Sequence, residues 1–220
     1  RKHLISDYIK TYEKLKSDSA NSRSFASGLV NSKTINPELA ADTKLVLYEV
    51  VDPNLPILEQ FEVIKDNIIP TLNLLDRYKN SNVEFIYSGS PESTTSADLP
   101  AKEDAPYFIP DPLNPRWSYA NSKALGEQAV IHSGLKWKII RYNNVYGPGQ
   151  KDHFIPEFVD RLKQTNEAKL YGYANTRTFL FVEDACEATY EVMEHMNCEE
   201  EIINIGGAEE LKIHEVANII

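Results

Sequence analysis

The sequence predicts an α/β domain in which a parallel sheet is covered by helices on both faces. Short apolar runs rich in β-branched residues alternate along the chain with longer stretches whose apolar residues recur at helical spacing. The strand-like runs are almost continuously apolar, which is typical of strands buried on both faces of a parallel sheet. Neither a repeat nor a linker-like segment interrupts this alternation. In such sheets ligands bind beyond the carboxyl ends of the strands, so residues that follow a strand are candidate site residues.

Each element has a local signal. A helical pattern covers residues 2–16, and an apolar run over 44–51 is followed by an Asp-Pro turn, as expected of a strand. A second helical pattern covers 61–80, although Pro70 should perturb its backbone. The later predicted elements are a strand over 83–90, a long Pro-, Asp- and Ser-rich loop, a helix over about 118–133, a strand over 135–142, a turn over 143–150, a helix over about 155–164, a strand over 178–182, a helix over 183–196 and a strand over 201–207.

Composition narrows the class of protein. With 42% hydrophobic and 25% charged residues, the chain resembles an ordinary globular protein, and it contains no apolar run of membrane-spanning length. A formal net charge of -10 argues against a nucleic-acid or anionic-membrane surface. The two cysteines, Cys186 and Cys198, lack the spacing of a metal site, so we expect a reduced, cytoplasmic setting and no metal.

The stretch WSYANSKALGEQ contains the first candidate for chemistry. Tyr119 and Lys123 lie four residues apart at the start of a predicted helix, which places them on one helical face. A nearby ammonium favours the phenolate and lowers the pKa of the tyrosine. The same spacing also occurs by chance on solvated helices, so the surrounding segments decide between the two interpretations.

Six segments in order carry a family resemblance: DNIIPTLNLL, VEFIYSGSPE, NPRWSYANSKALGE, IIRYNNVYGPGQ, HFIPEFV and TRTFLFVEDACEA. From about Lys44 to the end, this series resembles the extended short-chain dehydrogenase/reductase family, and within it the nucleotide-sugar epimerases, dehydratases and decarboxylases. Members carry a serine or threonine at a strand end, Y-x-x-x-K on the next helix and R-x-x-N-V-Y-G-P after the following strand. Here these are Ser90, Tyr119 with Lys123, and residues 141–148. The resemblance implies a Rossmann-like, doubly wound parallel sheet.

The resemblance also implies catalytic roles. Tyr119 would remove the proton of a sugar hydroxyl as hydride leaves for a nicotinamide, which requires its pKa to fall well below the usual value of about 10. Lys123 would supply the charge and bind the nicotinamide ribose, and Ser90 would hydrogen-bond the same hydroxyl. The triplet SPE ending in Glu92 resembles family decarboxylases, where a glutamate acts as a base at C5 or assists loss of carbon dioxide. The alternatives are a turn serine, a half-buried aromatic ring, and a solvated lysine and glutamate.

Binding roles follow from the same resemblance. Cofactor contacts are expected from Asn67, Ser88, Tyr119, Lys123, Tyr142 and Val145, and substrate contacts from Ser90, Asn144, Phe154, Ile155, Tyr171 and Arg177. Asn144 would contact the substrate diphosphate, and Arg177 the phosphates or a sugar carboxylate. Phe154, Ile155 and Tyr171 would surround the nucleotide base. The alternatives are an exposed helix residue for Asn67, a turn former for Asn144, plain core or rim residues, and an ion pair of Arg177 with Glu183 or Asp184.

The match to the family breaks at three places. The glycine-rich fingerprint that receives a dinucleotide pyrophosphate is absent, and 2–16 resembles the helix that should follow it. Glu49 and Val50 stand where relatives have small residues beside the cofactor, and Pro70 stands where relatives often have glycine. We therefore expect a chain incomplete at both ends, with 1–145 as a Rossmann-like domain and 146–220 as a segment shared by a small C-terminal substrate-binding lobe and the last strands.

The expected activity is NAD-dependent modification of a nucleotide sugar through a 4-keto intermediate, with epimerisation, decarboxylation and dehydration all open and NADP compatible with the sequence. Expected partners are the nucleotide sugar and a second copy in a homodimer, without nucleic acid or membrane. The alternatives are a noncatalytic homologue that binds a sugar nucleotide or a protein partner, and a reductase of small carbonyl compounds.

Overall fold

The computed structural model describes residues 45–47, 57–94, 100–108, 111–150, 153–165, 167–194 and 200–220, with the backbone alone for 45–47 and 57–59. The helix predicted over 2–16, most of the strand predicted over 44–51, and the unusual residues Glu49 and Val50 lie outside these ranges. Residues 44–220 form one compact unit.

The main sheet has four parallel strands. They are β1 (Leu45–Leu47), β2 (Glu84–Gly89), β3 (Lys136–Tyr142) and β6 (Glu201–Ile205), in the spatial order β1-β2-β3-β6. The register pairs Gly89 at the end of β2 with Arg141 near the end of β3. Because the strands are parallel, the residues that follow β2, β3 and β6 emerge at the same edge of the sheet. This confirms the predicted doubly wound, Rossmann-like fold class.

Helices cover both faces of this sheet. On one face, α1 (Ile57–Tyr78) packs against α2 (Ser118–Ile131), and α2 contacts β2 and β3. On the other face, α4 (Val182–Glu194) closes a buried cluster that contains Ile86 of β2 and Ile140 of β3. The neighbours of Ile86 in β2, Phe85 and Tyr87, point to the opposite face, because side chains alternate along a strand. Every residue of β2 except Glu84 is therefore buried.

A second, smaller sheet was missed by the sequence analysis. It consists of β4 (Asn144–Tyr146), β5 (Thr176–Phe181) and β7 (Glu210–Lys212), in the order β4-β5-β7. β4 falls inside the segment predicted to be a turn, and β5 overlaps the strand predicted over 178–182. The last pair, β5 and β7, is antiparallel. Strands of three residues carry too little periodicity to be recognised, and their pairing depends on contacts far away in sequence.

The remaining helices include the one that was predicted over about 155–164. They are α3 (Phe154–Thr165), α5 (Ile213–Ile219) and two 3-10 helices, Pro91–Thr94 and Pro115–Trp117. Pro70 lies inside α1 without ending it. Buried residues on both sides of Pro70, among them Val63 and Leu74, continue the same helical stripe, and packing of this stripe outweighs the loss of one backbone hydrogen bond. Among the described residues, no helix has the length and apolar character needed to cross a bilayer.

Candidate active site

A tight turn follows β2 and displays two predicted site residues. Ser90 is 5% exposed, and its Oγ accepts a hydrogen bond of 3.2 Å from the backbone N–H of Glu92. The carbonyl of Ser90 accepts from both the backbone N–H and the Oγ of Ser93, which winds Pro91–Thr94 into a 3-10 helix. Glu92 is half-buried in this turn. The turn therefore fixes a hydroxyl and a carboxylate beside the carboxyl end of the sheet.

The first turns of α2 bring Tyr119 and Lys123 to the same place. Lys123 is 3% exposed, and its Nζ donates a hydrogen bond of 3.2 Å to the carbonyl of Ser88 in β2. The same Nζ lies 5.8 Å from the ring centre of Tyr119 and 5.4 Å from that of Tyr87. The solvated alternative for Lys123 is therefore excluded, because the ammonium points into the protein, towards the end of β2. Tyr119 itself is half-buried.

Asn67 connects α1 to this helix. It is 2% exposed, and its Nδ2 donates 2.9 Å to Ser122 Oγ, which in turn donates 2.8 Å to the carbonyl of Tyr119. The amide oxygen of the same side chain, Oδ1, has no hydrogen-bond partner among the described residues. The exposed-helix alternative for Asn67 is therefore excluded. The contact with Ser122 ties the backbone at Tyr119 to α1.

Two glycines allow α2 to approach the sheet closely. A Cβ on Gly126 would collide with the ring and hydroxyl of Tyr87, and one on Gly89 would collide with Glu127 Oε1. Any other residue at either position would push α2 away from β2. Since Lys123 must reach the carbonyl of Ser88, this separation matters to the site as well as to packing.

A buried ion pair lies behind the site. Arg141 Nε and Nη2 donate to the two carboxylate oxygens of Glu127 at 3.0 and 2.7 Å, and the two residues are 1% and 0% exposed. Burial alone would lower the pKa of Arg141, but the hydrogen bonds and charge of Glu127 outweigh it, so the pKa is raised above its usual value. Tyr107 donates 2.9 Å to Glu127 Oε2. Burial, followed by the charge and hydrogen bond of Glu127, raises the pKa of Tyr107 to about 12.

This ion pair is the feature that the sequence analysis missed. Arg141 was identified only as the first residue of a motif, and Glu127 was given no role. Their signal is present in the sequence, because Glu127 lies four residues after Lys123 on the same helical face. Tyr107 has no such signal, since its partner Glu127 lies 20 residues further along the chain.

The predicted cofactor residues after β3 have packing contacts. Tyr142 Oη lies 2.7 Å from Thr189 Oγ1 of α4, and Val145 in β4 packs against the cluster beneath α4. Between them, the backbone N–H of Asn143 donates a hydrogen bond of 2.9 Å to the carbonyl of Ile205. The side chains of Tyr142 and Val145 thus hold the end of β3 against α4, and their contact with a cofactor stays a prediction.

The predicted substrate residues lie around the smaller sheet and α3. Asn144 is exposed and donates 2.9 Å to the carbonyl of Thr178, and Arg177 is exposed and donates 2.8 Å to the carbonyl of Thr176. The Tyr171 side chain is 71% exposed. Phe154 and Ile155 begin α3 and are both half-buried. These side chains carry solvent-facing donors and aromatic surface, as a ligand-binding rim would.

Taken together, the described geometry provides a phenol beside a buried ammonium, a buried serine hydroxyl and a carboxylate two residues further on. A phenol activated by an ammonium can accept a proton from an alcohol, and a serine hydroxyl can orient that alcohol. Within the described residues, no cluster of three or more His, Cys, Asp or Glu could hold a metal ion. Proton transfer is therefore the chemistry that these side chains support.

Comparison with known proteins gives the family. Residues 41–206 match the model of the NAD dependent epimerase/dehydratase family. The chain is 34% identical over 170 residues to a UDP-N-acetyl-alpha-D-glucosaminuronate decarboxylase of Bacillus cytotoxicus, which covers 74% of this chain and 53% of that protein. It is 30% identical over 166 residues to a putative UDP-glucose 4-epimerase of Methanocaldococcus jannaschii, with 70% and 52% covered. The chain thus spans about half the length of these curated relatives.

A solved structure gives the same answer for the fold. The crystal structure of dTDP-glucose 4,6-dehydratase from Bacillus anthracis in complex with NAD superposes with a TM-score of 0.66 and 25% identity, over 80% of this chain and 55% of that one. The family match extends over more than half of the chain and includes the strand ends and the Tyr119 helix. The chain belongs to the NAD dependent epimerase/dehydratase family.

Proposed function

We propose that the full-length protein oxidises C4 of a nucleotide-activated sugar with NAD and then epimerises, decarboxylates or dehydrates the 4-keto intermediate. The observation that carries this proposal is the placement of Lys123. Its Nζ is buried between the carbonyl of Ser88 and the ring of Tyr119, so a positive charge stands beside the phenol. The names of the relatives, a decarboxylase, an epimerase and a dehydratase, support the same reaction class.

The residues act in a defined order. Tyr119 accepts the proton of the C4 hydroxyl, and Lys123 lowers the free energy of the resulting phenolate. Ser90 hydrogen-bonds the same hydroxyl and orients it. NAD, when bound, would supply the acceptor for the hydride of C4, and the oxidised sugar would carry a ketone at that carbon. Glu92 then acts on the ketone, either as a base at C5 or in loss of carbon dioxide, and Arg177 binds the phosphates or a sugar carboxylate.

The described residues fit the nicotinamide end of NAD. Lys123 offers a buried donor next to Ser88, and Asn67 Oδ1 is a buried acceptor without a hydrogen-bond partner among the described residues. A buried unpaired acceptor costs free energy, and a donor from a bound ligand would remove that cost. The residues proposed to hold the cofactor are Asn67, Ser88, Tyr119, Lys123, Tyr142 and Val145.

The substrate side of the proposal places the nucleotide on the smaller sheet and α3. Asn144 and Arg177 are exposed on neighbouring strands, β4 and β5, where an amide and a guanidinium can meet a diphosphate. Phe154, Ile155 and Tyr171 would surround the base. The Tyr171 ring, 71% exposed, offers a face for stacking.

A homodimer completes the proposal. α1 carries a stripe of exposed apolar side chains, namely Phe61, Ile64, Ile69 and Leu72, and α2 carries Leu125, which is 53% exposed. Contiguous exposed apolar surface of this kind marks an interface. Because α1 and α2 pack side by side, two copies would meet as four helices.

The test is to incubate the full-length protein with NAD and a panel of nucleotide sugars and to follow the products by mass spectrometry. Loss of carbon dioxide, loss of water, or an isomer of unchanged mass would each support the proposal and identify the reaction. The Tyr119→Phe variant is the control, since it keeps the ring and removes the proton acceptor. Binding of a nucleotide sugar without any conversion would overturn the proposal in favour of a noncatalytic homologue.

A second variant distinguishes the proposed function from the remaining alternative, a reductase of small carbonyl compounds. Arg177→Ala should weaken nucleotide-sugar binding strongly if the guanidinium meets the phosphates. Activity on a small carbonyl compound that is unchanged by Arg177→Ala would instead identify a reductase without a nucleotide site.

A further inference from the structure

Residues 100–108, which we name the anchor loop, connect the turn that carries Glu92 to the helix that carries Tyr119. At the end of this loop, the backbone N–H of Phe108 donates 3.0 Å to the carbonyl of Ser93, which lies next to Glu92. The ring of Phe108 packs edge-on against Trp117, with ring centres 6.5 Å apart and an interplanar angle of 89°. Trp117 lies two residues before Tyr119. Phe108 therefore contacts both segments that carry the proposed acid–base groups.

The other side of the anchor loop is tied to the main sheet. Tyr107 donates 2.9 Å to the buried carboxylate of Glu127, and Arg141 Nη1 donates 3.3 Å to the carbonyl of Glu103. The Glu103 side chain accepts 3.2 Å from the backbone N–H of Asn204 at the end of β6. The loop is thus held by α2, β3 and β6 at once, although it has no regular secondary structure of its own.

The hydrogen bond of Tyr107 persists at and around neutral pH. Burial and the neighbouring Glu127 raise the pKa of Tyr107 to about 12, so the hydroxyl keeps its proton and remains a donor. The acceptor is equally fixed, because Glu127 is 0% exposed and holds Arg141 through two further hydrogen bonds. Tyr107 is therefore a rigid attachment point for the residue that follows it, Phe108.

We propose that Tyr107 and Phe108 are positioning residues that set where Glu92 stands relative to Tyr119, an inference that rests on the function proposed above. Neither side chain needs to touch the substrate for this role. Phe108 is 39% exposed, so its ring adds little to the core. Its backbone N–H binds the Glu92 turn at Ser93, and its ring packs against Trp117, two residues before Tyr119. Lys123 is held without the loop, since it bonds directly to Ser88 in β2.

This arrangement predicts that the two chemical steps depend unequally on the anchor loop. Oxidation of C4 requires Tyr119, Lys123 and Ser90. Lys123 bonds to Ser88 in β2, and Ser90 directly follows that strand, whereas Glu92 lies two residues further into the turn. The following step requires Glu92, whose turn is connected to α2 through Phe108. Truncating Phe108 should therefore slow the second step more than the first, because small displacements of a catalytic group have large effects on rate.

The experiment uses the full-length protein in single turnovers with a nucleotide sugar that the wild type converts. Formation of reduced nicotinamide reports the first step, and the amount of product, separated from the substrate by chromatography, reports the second. We expect Phe108→Ala to lower the rate of the second step relative to the first by about tenfold or more, and Tyr107→Phe to lower it by a smaller factor in the same direction. Phe108→Tyr keeps the ring and should restore the wild-type ratio.

Leu113→Ala is the matched control, because Leu113 is an apolar residue of the same inter-element segment and is 89% exposed. It should leave the ratio of the two rates unchanged. Equal slowing of both steps in Phe108→Ala, or no change in either, would overturn the inference and reduce the loop to a structural role. A wild type that oxidises no nucleotide sugar would overturn the proposed function itself, and the two failures are therefore distinguishable.

Discussion

At the scale of single residues, Lys123 shows how the fold holds a charge in place. An ammonium that is 3% exposed would be costly without compensation. The carbonyl of Ser88 accepts a hydrogen bond from its Nζ, and the ring centres of Tyr87 and Tyr119 lie 5.4 and 5.8 Å from the same atom. Cation–π and hydrogen-bond contacts of this kind offset desolvation. The same contacts keep the charge next to the phenol that it is proposed to activate.

The first prediction concerns this charge. Lys123→Met removes the ammonium and keeps an unbranched side chain, so the phenolate of Tyr119 should lose the positive charge that favours it. We expect kcat for sugar oxidation to fall by roughly 10²–10⁴-fold and the residual activity to increase towards higher pH. Steady-state rates measured across a pH series would check this.

Lys79→Met is the control for the loss of a positive charge. Lys79 is exposed, directly follows the last residue of α1, and pairs with Asp76 in the last turn of that helix. It should leave both rate and pH profile unchanged. A Lys123→Met variant with the pH profile of the wild type would show that the ammonium does not tune Tyr119.

The second prediction concerns Tyr107, whose pKa is raised from 10.0 to about 12 in the folded protein. A raised pKa means that the folded state binds the proton more tightly than the unfolded state. The resulting stabilisation is fully present below pH 10 and is lost as the pH rises through 12. The free energy of unfolding of the wild type should therefore fall between these values relative to that of Tyr107→Phe.

Chemical denaturation of both proteins at a series of alkaline pH values would measure this difference. Subtracting the variant removes the contributions of all other tyrosines and lysines. A difference in unfolding free energy that is independent of pH across this window would contradict the hydrogen bond to Glu127.

At the scale of elements, α2 is held against β3 by the pair of Glu127 and Arg141. Both side chains are buried, and the contact is bidentate. Removing one partner of a buried pair leaves the other charge without compensation, which costs more than the pair contributes when intact. The pair therefore specifies the distance between α2 and the sheet, together with Gly89 and Gly126.

The third prediction tests this element contact. Arg141→Met leaves the carboxylate of Glu127 buried without its guanidinium and should lower the free energy of unfolding by about 3–5 kcal/mol. Urea denaturation followed by circular dichroism measures the change. Arg161→Met is the control, because Arg161 forms an i,i+4 pair with Glu157 in which both side chains are about half exposed, at 53% and 51%.

The exposed pair in α3 should contribute only about 0.3–0.5 kcal/mol. Equal destabilisation by the two substitutions would show that burial does not set the importance of the Arg141 contact.

At the scale of the whole molecule, the contacts among the described residues leave the apolar stripe on α1 exposed. Phe61 is 64% exposed and Leu72 is 48% exposed, while the opposite side of the same helix is buried against α2. A helix that is apolar on two sides needs two partners. A second copy of the chain is the partner that the proposed homodimer supplies.

The fourth prediction tests the homodimer. Replacing Phe61 and Leu72 with glutamate should convert the full-length protein to a monomer, because charges would be buried at the contact between the two copies. Sedimentation velocity would measure the change in mass. Leu113→Glu introduces the same charge at an exposed apolar residue outside this surface and should leave the dimer intact. A wild-type protein that sediments as a monomer would rule out the interface.

Much of this protein was readable from its sequence. The buried strands of the main sheet and the long helices were predicted within a few residues, because their apolar periodicity follows directly from burial. The position of Ser90, Tyr119 and Lys123 near one sheet edge was predicted as well, since parallel strands and a motif on the following helix leave little choice. The smaller sheet was not predicted, because β4 and β7 are too short to show a period.

The sequence alone determined the class of fold, the family resemblance and the identity of the candidate acid–base groups, because those depend on local spacing and on the order of motifs. Only the tertiary structure decided that Lys123 points into the protein, that Asn67 is buried, and that Tyr107 bonds to Glu127. These contacts join residues 20 or more positions apart. Which partner a buried polar group finds is set by packing of whole elements, and no local pattern records it.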